Sequence, residues 1–224
     1  MHLNRRLLLL TSLVPKDVVV YDIGCDHALL DIFLTLYNNN TCYAIDQKES
    51  ALKMARKNIA LYHLEKKITV LCQDGFFNQE IKENSVAVLA GMGTRTILDI
   101  LKGREDAPFK KIIIQTNNDY EILRESMMKK GYKITSEHVL LDKKIWYVIM
   151  TFAKGKASYS TYELKFGPLL KKENSIKRNL YYTYLIEKRE AILKKLPRGH
   201  LGKKLEIKKE IVWLKRTSKV KERK

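Results

Sequence analysis

From the start of the chain to residue 153, apolar positions follow two rhythms: short unbroken runs, and longer stretches at helical spacing. The runs at 18–21, 41–45, 68–72, 86–90 and 111–115 have the length and β-branched content of strands buried on both faces of a parallel sheet. Between them, 27–37 places Leu29, Leu30, Phe33, Leu34 and Tyr37 on one helical face, and 49–64 does the same with Leu52, Ala55, Ile59 and Tyr62. Further helices are predicted at 4–14, stopped by Pro15, at 95–102 behind Thr94, and at 120–130, closed by Gly131. Two last strands, 133–141 and 144–152, join through Asp142-Lys143 as a hairpin.

Strand and helix alternating through five units, then a hairpin edge, predict an α/β fold: a doubly wound, Rossmann-like sheet of seven strands. After Tyr159 the strand rhythm disappears. Ile176, Leu180, Tyr184, Leu185, Ile192 and Leu196, then Leu201, Leu205, Ile211 and Val212, recur at helical spacing around the breaker Pro197-Arg198-Gly199. They predict an antiparallel, coiled-coil-like helical pair with a narrow apolar seam. The expected division is a domain at 1–156 and a helical one at 157–224.

Charge follows the same division. Residues 154–224 hold 22 Lys and Arg against 7 Asp and Glu, nearly all of the chain's net +18. So concentrated an excess is the footprint of a polyanion, nucleic acid first; a solvated basic face and an anionic membrane surface are the competing readings. Lys171, Lys172, Lys177, Arg178, Lys188, Arg189, Lys194, Lys195 and Arg198 are the candidate phosphate contacts, with Arg5 and Arg6 nearer the cleft. The three cysteines, Cys25, Cys42 and Cys72, lack metal-site spacing and leave an odd count, so no metal is expected. The apolar cluster at 7–10 is too short to span a bilayer and no cleavage site follows it, so the chain is read as cytoplasmic, off the membrane and monomeric.

The chemistry starts where the first strand ends. Asp22 stops the apolar run and Gly24 turns the chain at a sheet edge where ligands bind in open α/β folds. A dinucleotide loop needs G-x-G-x-x-G, yet Gly24 is followed by Cys25, Asp26 and His27. Carboxylates at Asp22 and Asp26 repel phosphate and suit a cationic nucleoside, which S-adenosylmethionine is. Cys25 is either a small turn residue or a thiol activated at a helix N-terminus.

Asp46, followed by Gln47, ends the second strand 24 residues after Asp22, near the spacing of about 20 at which an acid reads ribose hydroxyls. Asp74-Gly75 ends the third strand, placed to meet an adenine edge, and Ala90-Gly91-Met92-Gly93 ends the fourth with small residues and a soft wall. Each segment taken singly also fits ordinary turn chemistry.

The ordered set D-I-G-C-D-H-A at 22–28, L-A-G-M-G at 89–93, I-Q-T-N at 114–117 and G-Y-x-I-x-x-E at 131–137 resembles the bacterial tRNA (adenine-22-N1)-methyltransferases over residues 3–153. The resemblance implies a class I methyltransferase fold, S-adenosylmethionine as methyl donor, and methylation of N1 of one adenine in the D-arm region of tRNA. By position, Asp22, Gly24, Cys25, Asp46, Asp74, Gly75 and Ala90, Gly91, Met92 and Gly93 would bind the cofactor, with Asp26 and His27 facing methyl transfer. The family usually has an aromatic residue where this chain has Leu29, Glu where it has Asp46, a second glycine where it has Thr94, and Pro where it has Thr116.

Asp26 is expected to accept from the adenine amine and favour the charge developing on the base; His27 either assists or caps the helix. Tyr181, Tyr182 and Tyr184 are candidates to stack on exposed bases or to pack internally. Two other readings stay open on residues alone: a methyltransferase for ribosomal RNA or a small molecule, and an RNA-binding protein with a relic cofactor fold.

Overall fold

The computed structural model describes residues 1–197 and 199–218. The chain divides into two compact units, Met1–Ser158 and a second from Tyr159 onward.

The first unit runs α1 (Arg5–Leu13), β1 (Val19–Ile23), α2 (Leu29–Asn38), β2 (Thr41–Asp46), α3 (Glu49–Leu61), β3 (Ile68–Cys72), β4 (Ser85–Met92), α4 (Thr94–Ile100), β5 (Phe109–Thr116), α5 (Tyr120–Lys129), β6 (Tyr132–Asp142) and β7 (Ile145–Lys154). Its seven strands lie in the order β3-β2-β1-β4-β5-β7-β6. The first five are parallel, while β7 is antiparallel to both β5 and β6. This is the Rossmann-like class I methyltransferase sheet, and the strand order reverses between β1 and β4, opening a crevice at their carboxyl ends.

Central strands are buried as a two-sided parallel sheet requires: Val20, Tyr21, Ala44, Ile45, Val86, Val88 and Ile113 are solvent-free. On one face Tyr21 stacks on Tyr43 at 4.8 Å and meets Phe76 and Phe109 edge-on at 6.2 Å. Phe76 anchors the loop after β3, and the Arg104 guanidinium donates to the carbonyls of Phe76 and Gln79. The Asp74-Gly75 turn is therefore held from below. Glu137, the acid of the last motif, is buried against Arg124 at 2.8 Å and ties β6 to α5. Its role is in the fold, not the site.

Two of the boundaries that differ from expectation lie at the crevice. The helix predicted from residue 27 starts at Leu29, because Asp26 and Ala28 both take left-handed φ angles, 50° and 54°, and the Ala28 N–H donates to Cys25 O at 2.8 Å. Strand β4 continues through Met92 across an irregularity between Ala90 and Met92, so Gly91 and Met92 belong to the strand end.

The second unit contains α6 (Thr161–Phe166), α7 (Ile176–Lys195) and α8 (Leu201–Ser218). The pattern did not predict α6, although Ser160 and Glu163 form a reciprocal capping box that the S-x-x-E spacing announces. The antiparallel pair is present, with Arg178 bonded to Thr217 and Arg189 to Glu210. Its seam is largely not the expected one: Ile211 is buried as expected, but Ile176, Leu180, Ile192, Leu201, Leu205 and Val212 are exposed. The buried apolar side chains are Tyr181, Tyr182 and Ile186 on α7, and Ile207, Ile211 and Leu214 on α8. A helix carrying two offset apolar stripes cannot be oriented by spacing alone; here the aromatic stripe faces inward, where Tyr182 and Trp213 join a ring cluster with Phe166.

Candidate active site

The carboxyl ends of β1 to β4 enclose a cavity of about 380 Å³ whose wall includes Gly24, Asp26, Asp46, Asp74, Gly75 and Gly91. Of the remaining expected cofactor residues, Gln47, Ala90 and Met92 also line it. Asp22, Cys25 and His27 line a narrower adjoining pocket of about 80 Å³, which shares Gly24, Asp26, Ala90 and Arg6 with the first. Gly93 serves instead as the backbone N-cap of α4. Sequence reasoning missed Ile23, Lys48, Ala51, Gln73, Thr96 and Ile100 in the wall; Ile23 lies inside the first motif and the others belong to none.

Local geometry explains the residue types. Gly24 has φ +77°, and a Cβ there would lie 3.4 Å from Met92 Cε. Gly75 has φ +52°, and its Cβ would lie 2.9 Å from Ile100 Cγ2, closer than packed atoms come. The Asp46 carboxylate is oriented by its neighbours: Oδ1 accepts from the Lys48 N–H at 2.9 Å and Oδ2 from the Asp26 N–H at 3.4 Å. The Gly24 and Cys25 N–H groups both donate to Ile45 O, at 2.8 and 3.1 Å. Two donors that a phosphate loop would turn to its ligand are thus spent inside the sheet.

Arg6 reaches the cavity from α1. It donates to Gln115 Oε1 at 2.7 Å and stands 5.8 Å over the Tyr147 ring. Gln115 is buried and donates to Asn117 Oδ1 at 3.1 Å, and Asn117 donates to Gly91 O at 2.8 Å. The I-Q-T-N strand end therefore fixes the arginine and the Gly91 peptide together. Arg5, expected beside the cleft, is exposed and donates to Leu141 O at 3.3 Å.

Asp26 and His27 are both exposed, with Asp26 Oδ1 3.7 Å from His27 Nδ1. The N-cap of α2 is Ala28 and carries no side-chain cap bond, so His27 does not cap the helix. Asp22 is 5% exposed, and burial pushes its carboxyl up to about 7, opposed by a hydrogen bond from Asp31 and by the charge of Arg6. Asp31 lies in the first turn of α2 and is solvent-free; an acid among Leu29, Leu30, Ile32 and Phe33 was the signal that could have found it. Burial beside Asp31 and Asp22 pushes the Cys25 thiol far up, leaving it a small turn residue rather than a nucleophile.

The cavity fits a cationic nucleoside. Three carboxylates, Asp26, Asp46 and Asp74, converge on it, two glycines open room for a ring or ribose, and the Gly24 and Cys25 N–H groups are already occupied. Among the described residues no cluster of His, Cys, Asp and Glu is arranged to hold a metal ion, and no helix is long and apolar enough to cross a membrane.

In the second unit Lys171, Lys172, Lys177, Lys188, Lys194 and Lys195 are exposed. Three of its expected phosphate contacts are engaged internally, Lys171 through an ion pair with Glu163 at 3.1 Å. Arg178 is buried, donates to Thr217 O at 2.5 Å and packs 5.2 Å over Tyr182; Arg189 bonds Glu210 at 2.7 Å and lies over Phe166. Arg198 lies outside the described residues. Tyr181 and Tyr182 are buried, while Tyr184 is half-buried, with Lys188 over its ring and Tyr181 stacked beside it at 6.4 Å.

Comparison with known proteins gives a consistent picture. The model of the tRNA (adenine(22)-N(1))-methyltransferase family matches residues 20–216. The tRNA (adenine(22)-N(1))-methyltransferase of Bacillus subtilis is 27% identical over 185 residues, spanning 78% of this chain and 77% of its own. A Streptococcus pneumoniae structure, provisionally described as a tRNA (m1A22) methyltransferase, superposes with TM-score 0.89 at 28% identity, covering 97% of this chain and all of its own. M. capricolum TrmK, solved with S-adenosyl-homocysteine, gives TM-score 0.84 at 26% identity over 98% of this chain and 99% of that one.

Proposed function

This chain belongs to the tRNA (adenine(22)-N(1))-methyltransferase family, and from that membership we propose how its own residues carry the reaction. It is an S-adenosylmethionine-dependent enzyme that methylates N1 of an adenine in the D-arm region of tRNA. The observation that carries the site assignment is the convergence of Asp26, Asp46 and Asp74 on one cavity at the sheet's switch point.

Asp46, with both oxygens pre-oriented, takes the vicinal ribose hydroxyls. Asp74, on the turn pinned by Arg104, accepts from the adenine amine, and Gly75 leaves room for the ring. The narrower pocket offers Asp22 to a cation and Arg6 to an anion, the combination an amino-acid tail presents. S-adenosylmethionine supplies, when bound, a methyl group already activated on a sulfonium.

Adenine N1 attacks with its lone pair, so the chain's task is alignment and charge stabilisation rather than proton removal. Asp26, exposed at the junction of the two pockets, accepts from the N6 amine of the target base and favours its growing positive charge. His27 beside it orients that carboxylate. The target base must first leave its stack, at a cost of a few kcal/mol. The lysines of the second unit, an RNA-binding domain in this reading, offset part of that cost through phosphate contacts. The enzyme acts as a monomer, in the cytoplasm where its substrate is.

The test is incubation with S-adenosylmethionine and unmodified tRNA, followed by mapping the reverse-transcription block that N1-methyladenine creates. A block at the D-arm adenine is expected; its absence with every tRNA offered would refute the proposal. Asp26→Asn and Asp46→Ala in the same assay separate the acceptor role from the cofactor role.

A further inference from the structure

Asp31 takes no part in the reaction described above, yet it is the most completely buried acid beside the site. It is solvent-free on α2, where Leu30, Ile32 and Leu34 are buried around it in sequence. As a carboxylate it would have, among the described residues, the weak Cys42 thiol and its own backbone N–H within reach, and neither oxygen makes a well-formed hydrogen bond to them. Its side chain is instead within hydrogen-bond reach of Asp22, a second acid that lines the narrow pocket.

Two carboxylates cannot share such a site, because neither has a proton to give and their charges repel in a medium of low polarity. One must be a neutral acid donating to the other. The arrangement decides which: Asp22 faces Arg6 and the pocket, whereas Asp31 faces the apolar side of α2, the Cys42 thiol of β2 and Asp22 itself. Burial and the like charge of Asp22 hold Asp31 well above the usual carboxylate range, and Asp22, also pressed upward by Asp46, titrates at about 7.

We propose that Asp31 is a positioning residue of the methyl-donor site, a carboxylic acid kept neutral so that its O–H is donated to Asp22 and holds that carboxylate ready for the cofactor's positive charge. The proposal rests on the cofactor assignment above and deepens it. A cationic ligand binds the ionised form of Asp22, so binding near neutral pH expels the Asp22 proton to solvent, while the Asp31 proton stays between the two acids. The same use of a neutral acid as a donor is known at other buried sites.

Calorimetry of S-adenosylmethionine binding in phosphate and in imidazole buffer at pH 6.5 reads the released proton as a difference in apparent enthalpy. With Asp22 near 7, release of about one-half to one proton is expected. Affinity should rise as pH passes upward through 7. Asp31→Leu, which removes the donor, should move that rise upward by about one pH unit and weaken binding about fivefold at pH 7. Asp31→Asn, whose amide still donates, should keep the wild-type profile. S-adenosyl-homocysteine, which lacks the sulfonium, should release the same proton if the amino-acid ammonium is the charge read, and none if the sulfonium is.

Melting of the ligand-free protein provides a readout independent of the cofactor. Acids whose folded pKa is raised contribute stability at low pH that is lost as pH rises, so Asp31→Leu should melt above wild type by a margin that widens from pH 4 to pH 8. A purely structural acid in the first helical turn would give the reverse sign. Binding with buffer-independent enthalpy, or Asp31→Leu and Asp31→Asn sharing one pH profile, overturns the proposal while leaving the cofactor site intact. Absence of any S-adenosylmethionine binding to the wild type removes both.

Discussion

Thr94 Oγ1 and Thr116 Oγ1 lie 2.9 Å apart, a buried hydroxyl pair joining the start of α4 to the end of β5. Thr94 donates to Asn118 O at 2.6 Å, so Thr116 directs its one proton either to Thr94 Oγ1 or to Met92 O at 3.2 Å, and the Thr94 N–H is taken by Asn118 Oδ1 at 3.0 Å. This hydroxyl latch braces the Gly91-Met92 wall of the cavity.

A double-mutant cycle tests that latch. Thr94→Val and Thr116→Val should each destabilise the protein by about 1–2 kcal/mol, because the isosteric side chain leaves carbonyls unpaired. The double variant should cost less than the sum by about 0.5–1.5 kcal/mol. Strict additivity in urea melts would show that the two hydroxyls do not act as a unit.

Asp46→Ala removes a carboxylate already aimed by two backbone N–H groups. Loss of charge-assisted bonds to a ribose is worth about 1.5–3 kcal/mol, so S-adenosylmethionine should bind some 10- to 100-fold more weakly. Calorimetry checks this, with tRNA affinity as the quantity that should not move.

Asp26→Asn should leave cofactor affinity within about twofold and lower kcat on the order of 10²-fold, since the lost charge acts on the base as it becomes cationic. Single-turnover methylation separates the two effects. Equal losses in affinity and rate would move Asp26 into cofactor binding. The backbone at this position is not what limits substitution to Asn, because its left-handed φ of 50° is one Asn tolerates well.

The sheet was legible because a parallel sheet writes itself as unbroken apolar runs, and the acids of the cavity wall because strand ends fix them in sequence: Asp46 and Asp74 needed no knowledge of side-chain direction. What stayed hidden depended on three-dimensional neighbours. Asp31 reads as a helix-turn acid until Asp22 is seen beside it, and Glu137, though part of a motif, belongs to a buried ion pair with Arg124. Left-handed Asp26 and Ala28 shortened α2, which no propensity announces for alanine. In α7 the apolar spacing described two stripes, and only the ring cluster around Trp213 decided which was buried.

The arginines and lysines of the second unit separate by the same logic, and this yields the sharpest test of the RNA-binding reading. Lys194 and Lys195 are exposed on the last turn of α7, outside the ion pairs that occupy Lys165 and Arg189. Their replacement by Ala should leave the melting temperature unchanged, weaken tRNA binding, and lower the slope of log affinity against log salt by about 1 for each phosphate that a lysine no longer neutralises. Arg178→Ala should do the opposite. Its guanidinium is buried between the Thr217 carbonyl and the Tyr182 ring, so its loss should destabilise the helical pair by about 1–3 kcal/mol. At temperatures where the unit stays folded, the salt slope should then match wild type. If Arg178→Ala lowers the slope and the lysine variant does not, the RNA lies against the opposite face, and the phosphate contacts proposed for the lysines are wrong.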